Sequence, residues 1–472
     1  MAGRKKYLLK NTALFALNNI ATKLITFFLV PIYTAVLTTD EYGTADLITT
    51  LSAILIPVFT LNVCEAVMRF ALDKNADIRK IINIGITFGG ISILVGVACI
   101  PLFSLYDAFR PYRIIIAIYC VMQGLQQIFT CNLRGQEKLR EYAASNITYS
   151  ALAGIFNIIF LVLFRWGLTG YFTAFILADI VSSYYAIIKG NVIDAIRNYS
   201  FDKSLAASMI KYSIFLVPTS MMWWIMNSSD RVMVTAMIGA SANGIYAISY
   251  KFPSVLSVVS SVVNQAWSYS AIKENESSDR EAFNNKMYRL LVSVLTLTTG
   301  LLILLIKPIL KFYVSSEYYS AWRYTPYLFI GFLFMSLGTF LSTSYTVNKD
   351  SKGFLLSGMA GAILNVILNW ILIPKLGVAG AALATCLSYF MVFLYRAIDT
   401  RKYLIIHVGK PVYVISLVIN VIMAITIFLN NNWSYVLMII ELLALIVIQK
   451  NFVKKSVKTA LNMITKKVSK KI

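Results

Sequence analysis

Charge is what this sequence has least of: 14% of its 472 side chains are Asp, Glu, Lys or Arg, while 58% are hydrophobic. A soluble domain carries about 25% charged residues, so a chain this poor in charge cannot clothe a water-facing surface. Histidine occurs once, as His407, without companions for a metal site or an acid–base relay. Five cysteines (Cys64, Cys99, Cys120, Cys131, Cys386) make no CxxC pair, which argues against a disulfide framework and against a metal site. No glycine-rich phosphate loop is present, nor a soluble segment of nucleotidase size, so ATP-driven pumping within this chain is not expected. No nucleophile–base arrangement falls in the apolar runs, so neither enzyme chemistry nor a cofactor is expected. The first apolar run is too long for a cleaved signal peptide and lacks a small-residue cleavage site.

What is present is a succession of apolar runs, most about 20 residues long, the length an α-helix needs to cross roughly 30 Å of hydrocarbon. Period-two alternation is missing, which excludes a barrel. Windows from 11–36 to 434–450, among them 45–68, 212–238 and 244–270, predict an all-α polytopic membrane protein of about fourteen spans. An even count places both termini on one side. Of the 43 Lys and Arg, 33 fall on that side and 7 on the other, and Lys23, Arg231 and Lys251 lie within spans. The positive-inside rule then makes both termini cytoplasmic. This asymmetry accounts for most of the +22 formal charge without a nucleic-acid partner, and the basic tail "KKSVKTALNMITKKVSKKI" also suits anionic membrane lipids.

Internal repetition sharpens the picture. "LTTDEYGTADL" (37–47) parallels "MIGASANGIYAI" (237–248), which aligns Gly43 with Gly244. "AGIFNIIFLVLFRWGLTGYFTAF" (153–175) parallels "AGAILNVILNWILIPKLGVAGAALAT" (360–385), matching Asn157 with Asn365. The expected domains are an N-terminal six-helix lobe (1–200), a C-terminal six-helix lobe (201–405), and two extra helices with a basic tail (406–472). Lobes of even helix number share one orientation, so a pseudo-two-fold axis runs along the membrane normal. Alternating access about a cavity between them is the function this symmetry fits.

A charge at a helix centre costs roughly 2.5–3.5 kcal/mol on the insertion scale, so it must face a cavity or find a partner. Lys23 shares a polar face with Asn19 and Thr26. Asn227, Asp230 and Arg231 ("NSSDR") lie in the seventh span and Lys251 in the eighth. Adjacent residues point about 100° apart on a helix, so Asp230 and Arg231 cannot simply neutralise each other. One expectation pairs Asp230 with Lys251 and leaves Arg231 and Lys23 as cavity cations; the other makes the group an ion-pair network that braces the lobe. Asp179, central in the sixth span, is a candidate for proton or sodium coupling. Asp46 is read as a helix-dipole acid, Glu65 and Arg69 as a helix-end pair or substrate contacts, and Trp223, Trp224, Tyr246 and Tyr250 as interface anchors or sugar-stacking rings. Pro31, Pro218 and Pro253 are expected to bend their helices.

Together, "LTTDEYG", "NSSDR", "GIYAISYK" and "PKLGVAGAALAT", in this order over residues 1–450, resemble the polysaccharide transporter family. These are Wzx-type O-antigen flippases of the multidrug/oligosaccharidyl-lipid/polysaccharide exporter superfamily. The resemblance implies a flippase for an undecaprenyl-diphosphate-linked oligosaccharide in the bacterial cell membrane, serving lipopolysaccharide, capsule or exopolysaccharide biosynthesis and working beside polymerase machinery. It also implies that Lys23, Arg231 and Lys251 represent the family's cationic cavity. Compared with the lipid II flippases, the sequence lacks an arginine-rich first pair of helices. A multidrug or metabolite cation antiporter and a non-transporting scaffold are the rival classes; cavity sign separates the first, a lipid-flipping assay the second.

Overall fold

The computed structural model describes residues 22–73, 75–261, 264, 280–348, 350–429, 433–450, 452 and 454. Its elements are helices, and no strand occurs among the described residues. Among the described residues, ten helices are long and apolar enough to cross a membrane, and three more (Thr22–Val36, Pro411–Thr426, Trp433–Ile448) are apolar but shorter. The expected spans 11–36 and 244–270 and the basic tail lie only partly within the described residues, and the N-terminal arm lies outside them.

One compact unit runs to Ala247 and takes in Tyr313–Tyr318. It holds α1 (Thr22–Val36), α2 (Thr39–Phe59), α3 (Val63–Ala71), α4 (Ile78–Ala98), α5 (Ile100–Phe103), α6 (Arg113–Gly135), α7 (Leu139–Asn157), α8 (Gly167–Lys189), α9 (Val192–Arg197), α10 (Lys203–Ile214) and α11 (Leu216–Met237), and most of α12 (Ala240–Ser249). A capping box starts α2: the Glu41 amide donates to Thr38 Oγ1 (3.2 Å) and the Thr38 amide to Glu41 Oε2 (3.0 Å). Asp77 and Asp202 cap α4 and α10 in the same sense. α8 packs on both α6 and α7. A second apolar cluster joins α3, α4, α6, α9 and α10 through Val67, Ile81, Ile128 and Met209.

Two expected spans are broken. Within 45–68 the chain leaves α2 after Phe59 and turns through Leu61 and Asn62, both at positive φ, before α3. Pro57, without an amide hydrogen, stands just ahead of that break. Within 212–238 the helix interrupts at Phe215, three residues before Pro218, whose ring crowds the preceding turn. Pro253 does not bend a helix: it opens one, α13, described over 253–261.

The other unit, Ile248–Phe312 with Tyr319–Ile472, contains α13, most of α14 (Arg280–Tyr313), and α15 (Thr325–Val347), α16 (Ser351–Leu376), α17 (Val378–Asp399), α18 (Pro411–Thr426) and α19 (Trp433–Ile448). α17 is its hub, packed on α15 and α16. The buried Arg396 fastens all three, donating from Nε to Ser357 Oγ (3.0 Å) and from Nη1 to the Gly338 carbonyl (3.1 Å). Gly377, at φ +62°, makes the turn from α16 into α17 that a side chain would strain. The division at Ala247 follows packing. The lobes 1–200 and 201–405 and the region 406–472 describe repeat symmetry instead and stand as a proposal.

Candidate functional site

α2, α11 and α12 gather the charges of the first unit. Asp46, in the second turn of α2 and 8% exposed, accepts from Arg231 Nη1 of α11 at 2.8 Å. Asn243 Nδ2 of α12 donates to the Gly43 carbonyl (2.9 Å) and reaches Asp46 Oδ2 at 3.4 Å. Next to Arg231 in the chain, Asp230 accepts hydrogen bonds from the Tyr246 hydroxyl on Oδ2 (2.7 Å) and from the Arg231 amide on Oδ1 (2.9 Å). Trp224 Nε1 donates to the Thr50 carbonyl (2.6 Å), which ties α11 to α2 a second time. Ser241 and Thr39 share a hydroxyl hydrogen bond of 2.7 Å at the other edge.

The structure brings Arg231 and Asp230, expected from the sequence as a charged group, beside Asp46, which the sequence offered only as a helix-dipole acid. Its partner lies 185 residues away. No local signal points to that contact; the repeat alignment, which brought segments 37–47 and 237–248 together, was the nearest available hint. Charge arithmetic at Arg231 differs from a bare cavity cation, since a carboxylate lies in contact with it. Asn227 sits one turn before Arg231 and is half-buried. Lys23 on α1 is exposed and makes no ion pair among the described residues, while Asn19 lies outside them. Lys251 falls in the second unit, half-buried, in the turn between α12 and α13.

Asp179 stands apart, in the middle of α8 and 1% exposed, and its Oδ2 has no hydrogen-bond donor among the described residues. A polar seam runs beside it on α6, α7 and α8: Gln123 Nε2 donates to the hydroxyls of Tyr119 (3.1 Å) and Tyr149 (3.2 Å), and Ser145 of α7 and Ser182 of α8 share a hydrogen bond of 2.9 Å. An ionised carboxylate so placed lacks compensation, which favours a proton or a cation on it.

Other readings change. Arg69 pairs with Asp73, four residues on, at 2.7 Å, rather than with Glu65, four residues back. Tyr246 is fully buried with its hydroxyl on Asp230, and Tyr250 is nearly so with its ring edge-on to Phe332, so neither ring is exposed as an interface anchor. Cys131, far in sequence from the adjacent Cys64 and Glu65, joins them with donor atoms all within 4.8 Å of one another, a donor set that spacing could not reveal.

Comparisons with known proteins agree with this architecture. No curated protein sequence matches the chain significantly. The lipid II flippase MurJ in an inward closed conformation superposes with a TM-score of 0.72 at 15% identity, covering 94% of this chain and 100% of the other. An inward-facing multidrug resistance MATE transporter of the MOP superfamily gives 0.56 at 12% identity over 80% and 97% of the two chains. A MOP superfamily transporter from Pyrococcus furiosus, described by a binding pocket of reverse polarity, gives 0.56 at 12% identity over 84% and 95%. At these identities the likeness concerns the fold. A family model described as polysaccharide biosynthesis protein matches residues 8–272, more than half of the sequence, and this chain, folded like MurJ and the MATE transporters, belongs to that family.

Proposed function

We propose that this protein moves an undecaprenyl-diphosphate-linked oligosaccharide from the cytoplasmic to the outer leaflet of a bacterial cell membrane by alternating access. The product would supply O-antigen, capsule or exopolysaccharide synthesis, with polymerase machinery as a downstream partner and both termini cytoplasmic. Membership of a polysaccharide biosynthesis family and a fold shared with a lipid II flippase support a lipid-linked sugar as cargo.

The observation that carries the reading is the Arg231–Asp46 pair inside apolar helices. A guanidinium that grips a carboxylate presents the same fork of donors to phosphate oxygens. When α2 and α11 part, Asp46 releases Arg231, and a diphosphate takes the vacated donors. Lys23 and Asn227 add positive or polar contacts, and Asp230 holds the Arg231 segment by accepting the Arg231 amide hydrogen on Oδ1. Return of Asp46 then displaces the anion. The isoprenoid tail stays in lipid, so only the sugar and the diphosphate need a polar route.

Asp179 favours a second element, ion coupling: a buried carboxyl without a donor on one oxygen is suited to take up and release a proton or a sodium ion. The same residue is what a cation antiporter would need, and the two readings separate on cargo charge. Cells carrying Lys23→Ala, Arg231→Ala or both, at normal membrane levels, should accumulate the lipid-linked oligosaccharide on the cytoplasmic leaflet and lose surface polysaccharide. Unchanged export would remove the cationic-cavity mechanism and advance the antiporter.

A further inference from the structure

A cavity of about 230 Å³ opens in the second compact unit between α14 and the two C-terminal helices. Two cations line it, Arg289 from α14 and Lys410 at the start of α18, together with Tyr413, Ser293 and Gln449. No carboxylate shares the lining, and neither cation makes an ion pair among the described residues. Arg289 Nε donates to Tyr413 Oη at 3.4 Å, which leaves most of its five donors for another acceptor. α18, sixteen residues long, begins at this cavity with no side chain capping its first turn, so its positive dipole end adds to the two charges.

Gln449 supplies a second, opposite requirement. Its Nε2 donates to Thr296 Oγ1 (2.7 Å) and Ser416 Oγ (3.1 Å). Those hydroxyls already donate to the carbonyls of Val292 and Val412, so they accept from Gln449 and the amide orientation is fixed. Its Oε1 is buried without a donor among the described residues. The occupant must therefore bring both an anion and a hydroxyl. Val412, Ile448 and Phe452 make the rest of the wall apolar. The volume is several times the roughly 30 Å³ share of one water, room for a headgroup fragment.

We infer that this cavity binds the headgroup of a membrane lipid that carries a phosphodiester and a free hydroxyl, with the phosphate on Arg289 and Lys410 and the hydroxyl on Gln449 Oε1. Phosphatidylglycerol has this chemistry; phosphatidic acid has the phosphate alone. The inference is independent of the transport reading, because occupancy needs no flipping.

The full chain would be placed in phosphatidylcholine nanodiscs doped with phosphatidylglycerol or phosphatidic acid, or in plain phosphatidylcholine nanodiscs with inorganic phosphate in the buffer, and retained lipid read by native mass spectrometry beside thermal stability. Phosphatidylglycerol should be retained about tenfold or more over phosphatidylcholine, as two cations acting on one phosphate imply, with phosphatidic acid between them. Arg289→Gln with Lys410→Gln should bring retention to the phosphatidylcholine level. Arg289→Lys with Lys410→Arg should keep the preference, which separates lost charge from lost fold. Equal retention by the wild type and the double Gln variant would overturn the assignment. So would stabilisation by inorganic phosphate with no preference for phosphatidylglycerol, which would make the site one for a free anion.

Discussion

Gly43 on α2 and Gly244 on α12 meet backbone to backbone: a Cβ on Gly43 would lie 1.8 Å from the Ala240 carbonyl oxygen, and one on Gly244 would lie 2.1 Å from that of Thr39. The two residues that the repeat alignment equates are thus the two that touch. Small residues allow this approach because packing, rather than a hydrophobic force, holds helices together in lipid. The neighbouring Asn243–Gly43 and Thr39–Ser241 hydrogen bonds depend on the same closeness.

Gly43→Ala or Gly244→Ala should lower the melting temperature in detergent, since the clash is with backbone and overpacking costs about 1–3 kcal/mol or more. Gly90→Ala is the control: nothing lies within 4 Å of its Cβ position on α4, and helix propensity alone should raise stability by up to about 1 kcal/mol. Equal behaviour of the three variants would refute the close contact.

A double-mutant cycle over Asp46→Asn and Arg231→Gln should give a coupling of about 0.5–3 kcal/mol in unfolding stability, the range for directly bonded partners. Polysaccharide export is expected to split the two singles. Arg231→Gln removes the phosphate ligand and should abolish export. Asp46→Asn leaves Arg231 without its competitor and should slow release of the cargo. Identical export by both would mean that the pair serves structure alone.

Asp179→Asn preserves shape and removes the titrating group. The variant should reach the membrane at wild-type levels, and vesicle transport should lose its dependence on an imposed pH or sodium gradient. If the gradient dependence persists unchanged, Asp179 is a packed acid and coupling must be sought elsewhere.

Two helix caps outside the spans set an acid limit. The Leu205 amide first, then Lys80, holds the Asp202 carboxyl below the usual carboxylate range; the Gly353 amide and then the Tyr403 hydroxyl do so for Asp350. A folded-state pKa that is depressed contributes stability above the unfolded value, near 4, and the contribution is lost as pH falls through the folded value. Asp202→Ala and Asp350→Ala should therefore melt below the wild type at neutral pH and converge with it in acid, as thermal melts across pH would record. A constant difference down to low pH would show that the charges are not what stabilises these caps.

Long apolar runs were legible in the sequence because each acts over one helix, whereas the caps at Thr38, Asp77, Asp202 and Asp350 and the glycine turn at 377 came from the structure. Spans are fixed by bilayer thickness, and caps by amides that have no partner within the first turn. The paired repeats were legible too, as self-similarity, and they named Gly43 and Gly244 together. Which face of each helix meets another was not legible. In lipid both the packed face and the outer face are apolar, so the 3.6-residue period that marks a buried stripe in water fades.

Sequence by itself determined that this chain is helical, lies in a membrane and carries charges within its spans, because composition and run length bound those outcomes whatever the packing. Tertiary structure decided that Arg231 meets Asp46, that Asp179 is buried with one oxygen undonated among the described residues, and that Arg289 and Lys410 border one cavity. Each of these joins groups from different helices, and a buried charge takes whichever partner the fold brings within about 4 Å, not the one nearest along the chain.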